Sequence, residues 1–247
     1  MDRFIRTERL LGKERFHRLQ TKTVTVVGLG AVGGYVVEGL ARAGIRSLKL
    51  VDHDSIEPSN LNRQILALET TLGRPKTEVA RERVLAINAD CRVEILQLFA
   101  REETLELILE PRPDLLIDAI DSLNPKTQLL CEAYRRKIPV ISSMGAALHT
   151  DPTLIRCGDI FSTTTCPLAR HLRKRLKRRG VSEGISCVYS IEKIDYDYTL
   201  ADDPIDPDDA QLNNPGRPRK VLGSLPTITG IFGLIIANQA ILRLSQA

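Results

Sequence analysis

An α/β fold built on a doubly wound, mostly parallel sheet follows from three features of this sequence. Short apolar or β-branched runs alternate with helically spaced segments through the first 145 residues. The first run, TVTVV, passes directly into a glycine cluster that opens a helix. A later run, DLLIDAI, finishes in acidic residues, at the strand edge where such sheets bind ligands. After Gly145 the alternation breaks, and an antiparallel extension carrying a basic helix is expected.

The elements follow in order. Residues 23–27 form a buried strand, since a β-branched run of that length bounded by glycine suits a pleated, covered position. Helical spacing over 32–43 stops at Gly44, a natural left-handed terminator. SLKLV at 47–51 is the second strand. A helix with charges on one face follows at 75–88, then an alternating strand at 91–98, CRVEILQL. A short helix at 102–110 is bounded by Pro111, and the strand at 114–120 precedes a helix at 126–137 and a strand at 138–144. Beyond them, LIRCGDI and CVYSIEK read as antiparallel strands flanking the basic helix. The segment 202–220, rich in Pro, Asp and Asn, reads as a long loop. The stretch 221–242 is uncharged for 22 residues and long enough to span a bilayer, but its Pro, Thr, Asn and Gln favour a buried packing helix. Residues 1–145 are the expected core and 146–247 a substrate-side extension, together one continuous unit.

Composition narrows the class. The 247 residues are 43% hydrophobic and 27% charged, which excludes wholesale disorder and collagen. Five cysteines without a CxxC pair indicate free thiols in a reducing, cytoplasmic setting. The charged N-terminus carries no apolar run of the signal-peptide kind. The net charge of +4 hides an asymmetry: 170–179 holds seven basic residues and no acid, and 195–209 holds seven acids and no base. A basic face of that density is either a solvated helix surface or a phosphate-binding one.

The glycine cluster is GxGxxG on Gly28, Gly30 and Gly33, in Rossmann-like strand–turn–helix context. Such glycines make the turn tight and let phosphate reach backbone N–H groups at a helix N-terminus. Asp52 closes the second strand 19 residues past Gly33, placed to accept from ribose hydroxyls, with Asp54 beside it. A dinucleotide needs little more. The sequence adds Asn60, Arg63 and Gln64 in SNLNRQ, and Lys76 in GRPK. Such cations suit a triphosphate, with Mg²⁺ held by a carboxylate. Asp118 and Asp121 lie at the end of the fourth strand and are candidates for that carboxylate.

Taken together, GLGAVGG, VDHDSIEPSNLNRQ, GRPKTEVA and DAIDS resemble the ubiquitin-activating-enzyme-like adenylyltransferases, a superfamily that includes the molybdopterin-synthase and thiazole-biosynthesis adenylyltransferases. The resemblance implies adenylation of a carboxylate by MgATP with loss of pyrophosphate. It assigns ATP contacts to Gly30, Asp52, Asn60, Arg63, Gln64 and Lys76, and magnesium to Asp121, with Asp118 second. It also implies a homodimer in which an N-terminal arginine reaches the partner's triphosphate; Arg6 is favoured over Arg9. The sulfur-carrier branch usually holds zinc on two CxxC pairs, which this sequence lacks. DPTLIRCGDIFSTTTCPLARHLRKRLKRRGV and SLPTITGIFGLIIANQAILRL are instead similar to the tRNA threonylcarbamoyladenosine dehydratase branch. That branch activates the carboxylate of a threonylcarbamoyl group on a tRNA adenosine. The substrate's ureido group then closes a ring and releases AMP.

With the nucleophile on the substrate, no catalytic cysteine is required. Cys187 is the candidate if a thioester forms, and a small buried thiol is the commoner fate. Of the basic helix, Arg170, Arg173, Lys174, Lys177 and Arg178 are assigned to tRNA phosphates on a surface apart from the nucleotide, while Leu172 and Leu176 pack inward. His149, just after the fifth strand, either faces the substrate or has no role. Two competing functions are an adenylyltransferase for a ubiquitin-like sulfur carrier, with a sulfur-transfer protein as partner, and a noncatalytic NAD-sensing module.

Overall fold

The computed structural model describes residues 3–194 and 222–246, so the acidic run 195–209 and the expected loop 202–220 lie outside the described residues. Five strands come first along the chain: β1 Thr23–Val27, β2 Ser47–Val51, β3 Arg92–Leu96, β4 Leu115–Asp118 and β5 Val140–Ser143. β6 Ile155–Asp159 and β7 Ser186–Ser190 complete a seven-stranded sheet in the order β3-β2-β1-β4-β5-β7-β6. Every pairing is parallel except β6 against β7. The expected doubly wound sheet is therefore present. Its antiparallel extension is an edge of the same sheet, because β7 pairs in parallel with β5.

Helices cover both faces. α1 Ile5–Leu11 and α2 Lys13–Gln20 precede β1, α3 Gly33–Ala43 follows it, and α4 Lys76–Ile87 leads to β3. α5 Leu105–Leu109, α6 Leu123–Arg135, α7 Pro167–Arg178 and α8 Pro226–Gln246 complete the set among the described residues. Strand residues alternate between two cores. Val24, Val26, Leu48, Leu50, Leu115 and Ile117 pack with α3, α4 and α8. Val27, Val51, Leu116 and Val140 pack with α5, α6 and α7. This is the period-2 pattern of a sheet covered on both sides.

The differences from the sequence expectation are local. α6 starts at Leu123, three residues before the expected Lys126, because Pro125 is tolerated in a first turn whose N–H groups have no intrahelical partner. The expected helix at 102–110 divides into a 3-10 turn, Glu102–Thr104, and α5. α8 is long and apolar enough to cross a membrane by composition, yet half of that window is buried inside the protein. Gly233 explains the close fit: a Cβ there would stand 2.5 Å from the Val32 carbonyl oxygen and 2.7 Å from Tyr35 Cβ.

The α3 face is tied to α4 by charge. Glu38 accepts from Arg42 Nε and Arg83 Nε, each at 2.6 Å. Burial pushes its carboxyl up, but hydrogen bonds and attraction from Arg83 and Arg42 outweigh that and hold it below the usual carboxylate range. A carboxylate lowered on folding stabilises above its unfolded pKa, and the contribution is lost as pH falls through the folded value. Glu38→Gln is therefore expected to cost about 2 kcal/mol at neutral pH. The difference should fade below about pH 4. Urea unfolding of both proteins at pH 7 and pH 3 checks this; an equal deficit at both would remove the ion pair as its cause.

Candidate active site

The chain reverses strand order between β1 and β4, and that crevice is where open α/β sheets bind ligands. β1 ends at Gly28, which has φ +91° and whose N–H donates to the Val51 carbonyl at 2.8 Å. A Cβ on Gly28 would stand 2.7 Å from the Ala119 carbonyl oxygen, and one on Gly33 would collide with the Gly28 carbonyl. These two glycines are required by the turn itself. Gly30 is different: its Cβ would meet nothing nearer than Gln64 Nε2 at 3.9 Å. The space above Gly30 is thus open, as a nucleotide phosphate approaching the N-terminus of α3 would need.

Asp52 is buried and its carboxylate braces this loop. Oδ2 accepts from Leu29 N–H at 2.6 Å and Oδ1 from Asp54 N–H at 2.9 Å. Asp54 pairs with Lys76 Nζ at 2.9 Å, which points the buried lysine toward the same edge from the first turn of α4. Between them, the 3-10 turn Pro58–Asn60 buries Asn60, whose Oδ1 accepts from Glu57 N–H at 3.2 Å. Arg63 is half-buried and donates to the Ser59 carbonyl at 2.8 Å and to Asn62 Oδ1 at 2.9 Å. Gln64 is buried, and its Oε1 has no hydrogen-bond partner. A buried, unsatisfied amide oxygen at the rim of the glycine loop fits a ligand hydroxyl or amine. Asp52, His53 and Asp54 also bring ligand atoms within 4.8 Å of one another. Their carboxylates are already engaged with Leu29 and Lys76.

The two acids of IDAIDS have different environments. Asp118 is completely buried, pairs with Lys126 Nζ at 2.7 Å, and accepts from Ser142 Oγ at 2.6 Å and Ile120 N–H at 3.1 Å. Its oxygens are consumed by the protein, so the expectation that Asp118 contacts the nucleotide or its metal is corrected: it is a buried brace. Asp121 is exposed at the end of the β4 loop and accepts from Ser122 Oγ at 3.2 Å. Of the two it is the acid that a ligand can approach.

A model of the ThiF family matches residues 2–247. The chain belongs to the ThiF family. It is 36% identical over 235 residues, covering 94% of this chain and 91% of the relative, to tRNA threonylcarbamoyladenosine dehydratase of Bacillus subtilis (strain 168). It is 34% identical over 251 residues, 98% of this chain and 93% of the relative, to the Escherichia coli (strain K12) protein of the same name. Crystal structures of the E. coli tRNA N6-threonylcarbamoyladenosine dehydratase with AMP and with ATP superpose at TM-score 0.85 each. They are 33% and 34% identical, with 98% of this chain and 93% of theirs covered. A molybdopterin-synthase adenylyltransferase of Haemophilus influenzae matches at 34%, over only 54% of this chain and 54% of its own length.

Other candidate residues of this ThiF-family chain lie farther out. Arg6 is exposed on α1, where Phe4 and Phe16 pack at Gly44, the end of α3 remote from the glycine loop. Eleven helical residues separate those ends, about 16 Å. Arg6 thus does not join the nucleotide site of its own chain. On α7, Arg170, Lys174, Lys177 and Arg178 are exposed and Leu172 and Leu176 are buried. Arg173 is turned inward to Thr163 Oγ1, so it leaves the phosphate-facing set. Nor is α7 remote from the site. It packs along α6, Arg175 Nη1 lies 3.4 Å from Asn124 Oδ1, and Asn124 is three residues beyond Asp121.

Cys187 sits inside β7 at 1% exposure, and burial pushes its thiol up to about 12, an environment that disfavours the thiolate a nucleophile needs. His149, in the loop after β5, is buried against Phe232 and Glu192, with its own burial lowering its pKa. Sequence reasoning missed Lys126 and Ser142. Their only signal was a lysine eight residues after a strand-end acid, which looks like any helical surface lysine until the sheet closes over it.

Proposed function

We propose that this protein is an ATP-dependent tRNA threonylcarbamoyladenosine dehydratase. The observation that carries the reading is near-full-length likeness to the dehydratases, set against a half-length match to the sulfur-carrier adenylyltransferase. The open space over Gly30 beside the unsatisfied Gln64 Oε1 supports ATP as the substrate nucleotide. The NAD-sensing alternative gains nothing from Arg63, Lys76 and Asp121.

In this reading residues 1–145 are the adenylation core and 146–247 the substrate side. The glycine loop and the N-terminus of α3 hold phosphate oxygens, Gln64 and Asp52 orient the nucleoside, and Arg63 and Lys76 offset triphosphate charge. Asp121, a hard oxygen donor exposed at the strand end, would hold Mg²⁺, which neutralises phosphate charge when bound. A substrate carboxylate oxygen attacks the α-phosphorus and pyrophosphate leaves, giving a mixed anhydride. The tethered ureido nitrogen then attacks the acyl carbon, loses its proton, and expels AMP. The substrate has lost one water, taken up in converting ATP to AMP and pyrophosphate. Arg6 would serve the partner's triphosphate in a homodimer. The exposure of Leu10, 84%, and the absence of buried residues on α1 support a covered surface there. The thiol content and the tRNA substrate are consistent with a cytoplasmic enzyme; nothing on the described surface singles out a sulfur-transfer partner.

The test is AMP release with three additions: tRNA bearing the modified adenosine, the same tRNA lacking it, and a ubiquitin-like carrier. Turnover with the first alone, and a product one water lighter, is expected. Cys187→Ala should turn over like the parent. Turnover only with the carrier would transfer the protein to the sulfur-carrier reading.

A further inference from the structure

The ion pair of Asp118 and Lys126 is fully buried, both side chains at 0% exposure. Burying two charges is costly, and well-packed apolar residues in their place are often as stable or more so. Stability is therefore a weak reason for the pair, and its hydrogen bonds point to another. Lys126 Nζ donates to the Ile120 carbonyl at 2.9 Å, and Ile120 N–H donates to Asp118 Oδ1 at 3.1 Å. The one pair of charges thus holds both polar groups of Ile120. Asp118 Oδ2 is fixed in turn by Ser142 Oγ at 2.6 Å, from β5, the neighbouring strand. Lys126 comes from the first turn of α6, so β4, β5 and α6 all grip this residue. Ile120 itself is half-exposed and makes no strand pairing; without the pair its peptide could turn toward water. The next residue is Asp121.

We infer that Asp118, Lys126 and Ser142 form a buried clamp that sets the direction of Asp121, making Lys126 a positioning residue for adenylation. The inference rests on the reading of Asp121 as the metal-holding acid. A carboxylate on a loop of a few residues has many orientations, and an error of about 1 Å at a reacting centre can cost on the order of a hundred-fold in rate. A clamp of charges supplies direction that an apolar plug of equal volume lacks. The same requirement accounts for a lysine at a position the fold would otherwise fill with methionine or leucine.

The experiment exchanges the polar cluster for an apolar one, Asp118→Leu with Lys126→Met and Ser142→Ala, so that no buried charge is orphaned. Four quantities are read: the melting temperature, AMP affinity by calorimetry, affinity of Mn²⁺ for the complex with a nonhydrolysable ATP analogue by electron paramagnetic resonance, and turnover. The expected result is a melting temperature within a few degrees of the parent and unchanged AMP affinity. Mn²⁺ affinity should fall about ten-fold and turnover about a hundred-fold. Lys126→Arg made alone in the parent, which can still donate to both Asp118 and Ile120, should keep most of both. A folded triple variant with parental Mn²⁺ affinity and turnover would overturn the clamp and leave the pair as packing. If the triple variant does not fold, Ser142→Ala decides. It keeps the ion pair, and a fall in Mn²⁺ affinity without loss of melting temperature supports the clamp, while parental affinity overturns it. Asp121→Asn runs alongside. Parental Mn²⁺ affinity in that variant would show that the metal reading has failed, and the clamp with it; lost affinity there beside parental affinity in the triple variant would sink the clamp alone.

Discussion

Asp121→Ala is expected to lower AMP and pyrophosphate formation by about a thousand-fold while tRNA affinity stays close to that of the parent. The two halves of that expectation come from different parts of the molecule. Asp121 follows the C-terminal end of β4, three residues past Asp118 and next to the Ala119–Ile120 segment that lies against Gly28, where the proposed reading puts the phosphates. tRNA is held by many phosphates over a wide surface, to which one acid contributes little. Asp118→Ala should differ in kind. It orphans Lys126 in a fully buried position, at a cost of about 3–5 kcal/mol in stability. Loss of activity in Asp118→Ala would thus accompany a fall in melting temperature, and in Asp121→Ala it would not. Product formation, filter binding of tRNA and thermal melts on both variants make the comparison. An Asp121→Ala protein that still makes AMP at a tenth of the parental rate or better would remove this acid from the chemistry.

The contrast between these acids shows how far the sequence could be read. Strand and helix identities were legible because their apolar period is local: TVTVV and SLKLV carry it in five residues each, and both strands stand where that pattern puts them. The roles of Gly28 and Gly33 were legible as well, since a tight turn between a strand and a helix leaves few alternatives. The residues alone did not separate Asp118 from Asp121; only the family resemblance ranked Asp121 first. Both end an apolar run, and what distinguishes them is Lys126, eight residues on, and Ser142, on another strand. Neighbours of that kind exist only after the sheet has formed. Arg173 gives the same lesson on a helix. It was assigned to tRNA phosphates with the outward cations, but Thr163 in the preceding loop offers a hydroxyl that draws it inward. Arg175, at the edge of the apolar stripe, instead meets Asn124 on α6.

Replacing Arg170, Lys174, Lys177 and Arg178 together with Ala should do the reverse of Asp121→Ala. The four exposed cations lie on one side of α7, and the buried Ala169, Leu172 and Leu176 that hold the helix to its core are left intact. Folding and ATP affinity should survive. tRNA affinity should fall, and the reason predicts its salt dependence. Each phosphate neutralised by the protein releases condensed counterions, so the slope of log K against log salt scales with the number of such contacts. Removing four cations should make that slope shallower by about 3. The position of the helix suits RNA docking, because α7 runs along α6 and Leu168 reaches Gly145 just past β5, beside the strand ends where Asp121 lies. RNA held on α7 would therefore lie along one wall of the crevice and could present its modified base at the nucleotide without a long reach. Turnover in the variant should consequently fall through KM for tRNA, with kcat near the parental value once tRNA saturates. A parental salt slope would leave α7 as a solvated surface, and a kcat loss at saturating tRNA would mean that these cations also act on the chemistry. The measurements are filter binding across a salt series and steady-state turnover against tRNA concentration, on parent and variant alike.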